Sequence, residues 1–206
     1  MKAKLQIFCD LTIIKTHLKT LLINNFSPFI VDIKKILNDF GNEAECYNCD
    51  EILAIDTHLD FLENFDNVIL SGRQRNSTVI NKVNSRIVKG ALVLNKPLLG
   101  ICYGAQILAL TLGCTLKRMG KVRDLINIKV VQQDPIIKGY DEMEMYESHN
   151  FCISVLSPDF KLLGKSISCT NELFCLKNKP IYGTQFHPEK SGKPGRDLIE
   201  NFLKIR

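Results

Sequence analysis

Cys102 stands midway between two glycines in Gly100-Ile101-Cys102-Tyr103-Gly104, directly after the apolar run Pro97-Leu98-Leu99. A strand that stops at a cysteine and restarts at once as a helix, here Ala105-Gln106-Ile107-Leu108, would present the sulfur at a helix N-terminus. Unpaired backbone N–H groups and the helix dipole favour thiolate over thiol there and supply donors for an oxyanion. The small neighbours suit a sharp elbow in which side chains would crowd the backbone. Cysteine is also among the most often buried residue types, and the chain has eight, so a nucleophile needs a second residue to identify it.

His187 is that residue. His187-Pro188-Glu189 follows the apolar segment Ile181–Phe186, much as Cys102 follows its own. A carboxylate two positions on could fix the imidazole tautomer and stabilise the imidazolium formed when the ring takes the thiol proton. Pro188 restricts the backbone between them. His17 and His58 have no such setting and read as ordinary core or surface residues. Cys46 and Cys49 form a C-x-x-C pair, but no second pair or histidine cluster stands at ligand spacing, so chance at a strand end is the better reading and no metal is expected.

These residues need elements to position them. Leu21-Leu22-Ile23 reads as a short buried strand, and Ser27-Pro28 as an N-cap and first helical residue ahead of Ile30, Ile33, Ile36 and Leu37, with Gly41 closing the helix. Residues 43–49 read as a second strand, 56–62 as a short helix and 68–70 as a third strand ending at Ser71-Gly72. A helix over 77–92 then leads to the strand that delivers Cys102. Strands alternating with helices imply a parallel sheet covered on both faces, with ligands at the carboxyl ends of its strands, where Cys102 and Gly72 both fall. After Gly113 the rhythm changes. Short apolar runs at 126–131, 151–156, 161–166 and 173–176 are separated by turn residues and predict an antiparallel or mixed portion, before a strand at 181–186 and a closing helix at 194–205. The fold class expected is therefore α/β, a mainly parallel central sheet flanked by helices on both faces, antiparallel or mixed in its second half. Residues 1–19 read as an N-terminal extension of unassigned role and 20–206 as a single domain.

Composition narrows the function classes. The 206 residues are 45% apolar and carry a formal charge of +5, with lysines scattered and no basic block interleaved with aromatics, so no nucleic-acid partner is expected. No apolar run approaches the roughly 18 residues of a membrane span, and the N-terminus lacks the order of a signal peptide. No membrane association and a cytoplasmic location follow as expectations, in keeping with cysteines spread without a compact disulfide framework.

Gly100-Ile-Cys-Tyr-Gly-Ala-Gln106 together with Gly183-Thr-Gln-Phe-His-Pro-Glu189 resembles the class I glutamine amidotransferases, whose triad is cysteine, histidine and glutamate in that chain order. The resemblance covers about residues 20–206. It includes Leu21–Phe29, similar to the family's opening strand and turn, and Glu147-Ser148-His149, which looks like its substrate-lining segment. It implies a flavodoxin-like amidotransferase fold and a glutaminase reaction. Cys102 would attack the side-chain amide of glutamine, His187 would protonate the leaving ammonia, and Glu189 would orient His187. The resemblance also implies an oxyanion hole from the N–H groups of Tyr103 and the Gly72-Arg73 turn. Gln106 and the Ser148-His149 backbone would bind the amino-acid end of the substrate, and no cofactor is required. The family usually carries a Gly-Gly-Pro turn where this chain has Ser71-Gly72-Arg73-Gln74-Arg75-Asn76-Ser77. That departure removes conformational freedom at one position and rigidity at the next. Arg73 and Arg75 read as a solvated loop or, as a second hypothesis, as contacts for an acidic partner.

Within the family the segments point in several directions. Residues 148–183 are most similar to the free-standing glutaminase subunits of GMP synthetases, the tail His187–Gly192 to those of imidazole glycerol phosphate synthases, and Asn24-Asn25-Phe26-Ser27 to the anthranilate synthase type. A separate synthase docked over the Cys102 face, receiving ammonia, is the partner implied, GMP synthetase being the first choice. A stand-alone γ-glutamyl hydrolase using the same cysteine and histidine is the competing class.

Overall fold

A computed structural model describes residues 18–55, 59–74 and 77–206. The first half alternates strand and helix: β1 (Lys19–Asn25), α1 (Ile30–Asp39), β2 (Glu43–Asn48), α2 (Cys49–Ile55), β3 (Asn67–Arg73), α3 (Thr78–Val93), β4 (Leu98–Ile101) and α4 (Tyr103–Thr111). The second half is nearly all strand, with β5 (Thr115–Val130), β6 (Glu142–Val155), β7 (Phe160–Lys165), β8 (Leu173–Leu176) and β9 (Ile181–Thr184) ahead of α5 (Gly192–Leu203). These nine strands form one sheet in the order β2-β1-β3-β4-β9-β8-β7-β5-β6.

Alternate residues of the central strands face opposite layers, as the two-residue period of a strand requires. Leu21, Ile23, Val68, Leu70 and Leu98 pack under α2, α3 and α4 with Ile52, Ile87 and Leu108. Leu22, Ile69 and Leu99 pack under α1 and α5 with Ile33, Leu37, Leu198 and Phe202. Helices therefore cover both faces. Among the described residues no helix is long and apolar enough to cross a membrane.

The expectation of a mainly parallel sheet needs correction, because the pairings divide evenly. β2-β1-β3-β4-β9 pair in parallel through four ladders, and β9-β8-β7-β5-β6 pair antiparallel through four more. Connection length explains the division. A helix between strands permits a crossover, whereas the short turns of the second half can only send the chain back beside itself.

Three local expectations also shift. The cap position of helix α1 lies two residues after the proposed Ser27, at Phe29, which has no side-chain cap bond. The side chain of Asn24 explains this: its Oδ1 accepts from the N–H groups of Phe26 (3.0 Å) and Ser27 (3.3 Å), holding Pro28 in a turn ahead of the helix. The strand over 43–49 yields to α2 at Cys49, and the short helix expected at 56–62 is a 3₁₀ segment over Leu59–Asn64, residues 56–58 lying outside the described part. Finally, β5 and β6 are 16 and 14 residues long, far beyond the runs at 126–131 and 151–156. Much of this hairpin is solvent-exposed and polar, and its ladder slips between Arg118 and Val122, so no unbroken apolar run announces it. Of the proposed extension, residues 1–17 lie outside the described part, and β1 already begins at Lys19.

Candidate active site

Cys102 joins β4 to α4 with φ 50° and ψ −103°, a conformation that side chains other than glycine rarely adopt. Its N–H donates to Thr184 O at 2.7 Å, and its carbonyl accepts the first bond of α4, from Gln106 N at 3.0 Å. Close packing rather than backbone freedom explains both flanking glycines. A Cβ on Gly100 would stand 2.6 Å from the backbone of Gly104, and one on Gly104 would enter the carbonyl of Leu70. The helix thus rests directly on β3 and β4, which aims its N-terminus at the sulfur.

His187 arrives from the adjacent β9. Its N–H donates to Tyr146 O at 2.7 Å, pinning the end of β9 to β6. Ser191 Oγ bridges the same two strands, donating to His187 O and accepting from Tyr146 N at 2.9 Å. The Phe29 ring meets the imidazole edge-on, with centroids 4.9 Å apart. Glu189, in the short 3₁₀ turn Pro188–Lys190, places Oε1 2.8 Å from His187 Nδ1. The residue is 3% exposed. Burial works against its charged form, yet the charges of Glu189 and Cys102 and hydrogen bonds to both raise its pKa well above the ordinary histidine value. The structure therefore gathers Cys102, His187 and Glu189 at the carboxyl ends of two neighbouring strands, with His187 between a sulfur and a carboxylate.

The other expected residues surround this centre. Gly72, the last residue but one of β3, lies so close to His187 that a Cβ there would stand 2.9 Å from the imidazole Cε1. Arg73 follows it, and its side chain turns toward α3: the guanidinium covers the Tyr103 ring at 3.9 Å and donates to Asn81 Oδ1 at 3.1 Å. Arg75 lies outside the described residues. Gln106 is buried, its Nε2 donating to Phe151 O (3.0 Å) and to Gln185 Oε1 (3.3 Å). Ser148 O faces the sulfur at 4.0 Å. The His149 ring is buried and its Nε2 lies 3.0 Å from Glu147 Oε2, two residues back on the same face of the strand. Among the described residues no group of three or more His, Cys, Asp or Glu side chains could hold a metal, and Cys46 and Cys49 sit on separate elements, β2 and α2.

The model of one protein family, glutamine amidotransferase class-I, matches residues 21–205. The chain belongs to the class I glutamine amidotransferases. A glutamine-hydrolysing GMP synthase subunit of Thermoplasma acidophilum is 31% identical over 196 residues, 91% of this chain and 92% of that protein. The corresponding protein of Pyrococcus abyssi is 38% identical over 114 residues, which span 54% of this chain and 61% of that relative. A crystal structure of a GMP synthase subunit from T. acidophilum superposes with a TM-score of 0.80 at 29% identity, covering 91% of this chain and 93% of that one. A glutamine amidotransferase from Thermotoga maritima, at 17% identity and a TM-score of 0.73 over 92% of this chain and 99% of that one, shares the fold.

In this amidotransferase the sequence reading missed a supporting set of buried polar groups. Asn25 Nδ2 donates to Ser71 O at 2.9 Å, and its Oδ1 accepts from Asn84 Nδ2 at 2.7 Å, fixing the loop that holds Gly72 to β1 and α3. Gln185 Nε2 faces the Cys102 sulfur at 3.9 Å, and its backbone N–H donates to Glu172 O at 2.7 Å. Gln185 carries a readable signal, an amide between the end of β9 and the apolar Phe186. Asn84 and Glu172 carry none, because each lies among polar neighbours and only the fold buries it.

Proposed function

We propose that this amidotransferase hydrolyses the side-chain amide of glutamine through a thioester on Cys102 and passes the ammonia to a synthase that makes GMP. The reading is carried by one observation: His187 sits between the Cys102 sulfur and the Glu189 carboxylate, buried and with a raised affinity for its proton. The sulfur attacks the amide carbonyl carbon, and the negative charge moves to the oxygen, toward the N–H groups of Tyr103 and the Gly72-Arg73 turn. The C–N bond then breaks as His187 delivers its proton to the departing nitrogen, leaving ammonia and the thioester. Water, losing a proton to His187, attacks the thioester and releases glutamate as the C–S bond breaks. Gln106 and the Ser148-His149 backbone hold the amino-acid end of the substrate, and the cycle requires no metal or organic cofactor.

Residues 20–206 act in this reading as one amidotransferase domain, with 1–19 preceding it. The names of the relatives support GMP synthesis as the destination of the ammonia over the other acceptors of the family. A cytoplasmic setting fits a chemistry that depends on a reduced cysteine. The test is to incubate the protein and its Cys102→Ala variant with glutamine, measuring glutamate and ammonia, and then to add the ATP-dependent synthase subunit of a GMP synthetase. Cys102-dependent glutamate release that rises on adding that synthase is expected. Release that persists in Cys102→Ala, or cleavage of γ-glutamyl peptides in place of glutamine, would overturn it.

A further inference from the structure

Behind the wall formed by Ser148 and His149 the chain buries two carboxylates against each other. Glu147 on β6 and Glu172, the residue before β8, are both 0% exposed. Ser168 Oγ lies 3.0 Å from Glu147 Oε2 and 3.4 Å from Glu172 Oε1. Ser166 Oγ donates to Glu172 Oε1 at 2.6 Å, and His149 Nε2 lies 3.0 Å from Glu147 Oε2. No lysine or arginine pairs with either carboxylate among the described residues. Glu172 Oε2 is buried with no hydrogen-bond partner.

Two ionised carboxylates beside one imidazole, fully buried and with no lysine or arginine to pair with, would be costly; a single proton removes the conflict. The donors show where it belongs. His149 and Ser168 serve Glu147, Ser166 serves Glu172 Oε1, and Glu172 Oε2 is left over. A proton on Glu172 removes the second buried charge and turns an acid that shares Ser168 with Glu147 into a donor toward it.

We propose that Glu172 is a neutral carboxylic acid in the working protein, and that the hydrogen bond it gives Glu147 holds the Ser148–His149 wall in place for glutamine. Both acids are positioning residues. Glu147 anchors β6 from behind while the next residue, Ser148, turns its carbonyl to the sulfur, 4.0 Å away. On the other side, Glu172 O takes the N–H of Gln185, whose amide faces the same sulfur. The pair therefore joins two walls of the site.

The surroundings agree. Burial, the Glu147 charge and the hydrogen bond to Glu147 raise Glu172 well above the usual carboxylate range. Burial pushes Glu147 the same way, but hydrogen bonds from His149, Glu172 and Ser168 and the charge of His149 leave it below that range. Cys169 is the other titratable group against Glu172, with Cys152 beside it, and burial raises the Cys169 thiol so that it stays protonated.

The positioning half of this proposal rests on the glutaminase reading, and the proton does not. An infrared difference spectrum between the protein and Glu172→Gln at neutral pH should contain the C=O stretch of a buried carboxylic acid; its absence would overturn the proton assignment even if no glutaminase activity existed. In the kinetic arm, Glu172→Gln, whose amide can also donate to Glu147, should keep the KM for glutamine within about twofold. Glu172→Ala should raise it roughly tenfold with kcat changed less. Equal KM values for the protein and Glu172→Ala, or a Glu172→Gln variant as impaired as Glu172→Ala, would overturn the positioning role. A chain that turns over no glutamine under any condition would instead defeat the glutaminase reading, leaving the infrared result standing by itself.

Discussion

The guanidinium of Arg73 lies flat over the ring of Tyr103, 3.9 Å from its centroid, and both side chains donate to one atom, Asn81 Oδ1, at 3.1 and 2.7 Å. Three elements meet in that clamp: the end of β3, the first turn of α3 and the first residue of α4. It ties the Gly72-Arg73 turn to α3 and α4 by side-chain contacts. A planar, forked cation suits the task, since it can stack and donate at once.

Arg73→Ala should therefore lower kcat for glutamate release by about tenfold, the effect of loosening one oxyanion donor by ~1–2 kcal/mol. Arg73→Lys keeps the charge and loses the fork, and should recover only part of the rate. Steady-state assays of the two variants check this; equal rates for the protein and Arg73→Ala would show that the turn needs no clamp.

The backbone at Cys102 makes an unusual stability prediction. Glycine in place of alanine ordinarily costs a protein ~0.5–1 kcal/mol. At φ 50° and ψ −103° the order should reverse, with Cys102→Gly more stable than Cys102→Ala by about 1 kcal/mol as the strain is released. Urea unfolding midpoints of the two inactive variants provide the comparison.

Glu189→Gln should lower the proton affinity of His187, because the carboxylate charge 2.8 Å from Nδ1 is among the forces that raise it. The sign for stability follows from that rise. The stabilisation linked to protonated His187 is complete below the ordinary histidine pKa and is lost as the pH climbs through the folded value. The alkaline fall in stability should thus begin at lower pH in Glu189→Gln, with kcat reduced by roughly a hundredfold. Thermal melts across a pH series and the NMR titration of the His187 ring measure the two effects separately.

Two glycines should respond differently to the same change. Gly104→Ala forces a methyl group into the carbonyl of Leu70, a backbone atom that cannot swing aside, and should cost more than about 3 kcal/mol. Gly113→Ala meets no atom within 4 Å and carries only the strain of φ +84°, about 1 kcal/mol. Thermal denaturation of the pair separates collision from torsion.

The sequence was most legible where one physical cause acts alone. The buried strands β1, β3 and β4 each centre on a short apolar run, and α3 and α5 begin and end within two residues of their expected bounds because periodicity and turn residues agree. The hairpin of β5 and β6 was legible only at its apolar ends, since much of each strand meets water and a bulge breaks the alternation. Residues spaced two or four apart, such as His187 with Glu189 or Cys102 with Gln106, could be read along the chain. Partners that only the folded sheet brings together, such as Asn25 with Asn84 or Glu147 with Glu172, could not. Their types are common in loops, and nothing local distinguishes a buried amide or acid from a solvated one.

The bond from His187 N to Tyr146 O carries one more consequence. Among the described residues β6 is the last strand of the sheet, and an edge of that kind invites another chain to add itself as a further strand. At Tyr146 that edge is occupied by the backbone of His187 itself. An intruding strand could extend the sheet through this point only by breaking the bond that fixes the histidine beside the Cys102 sulfur.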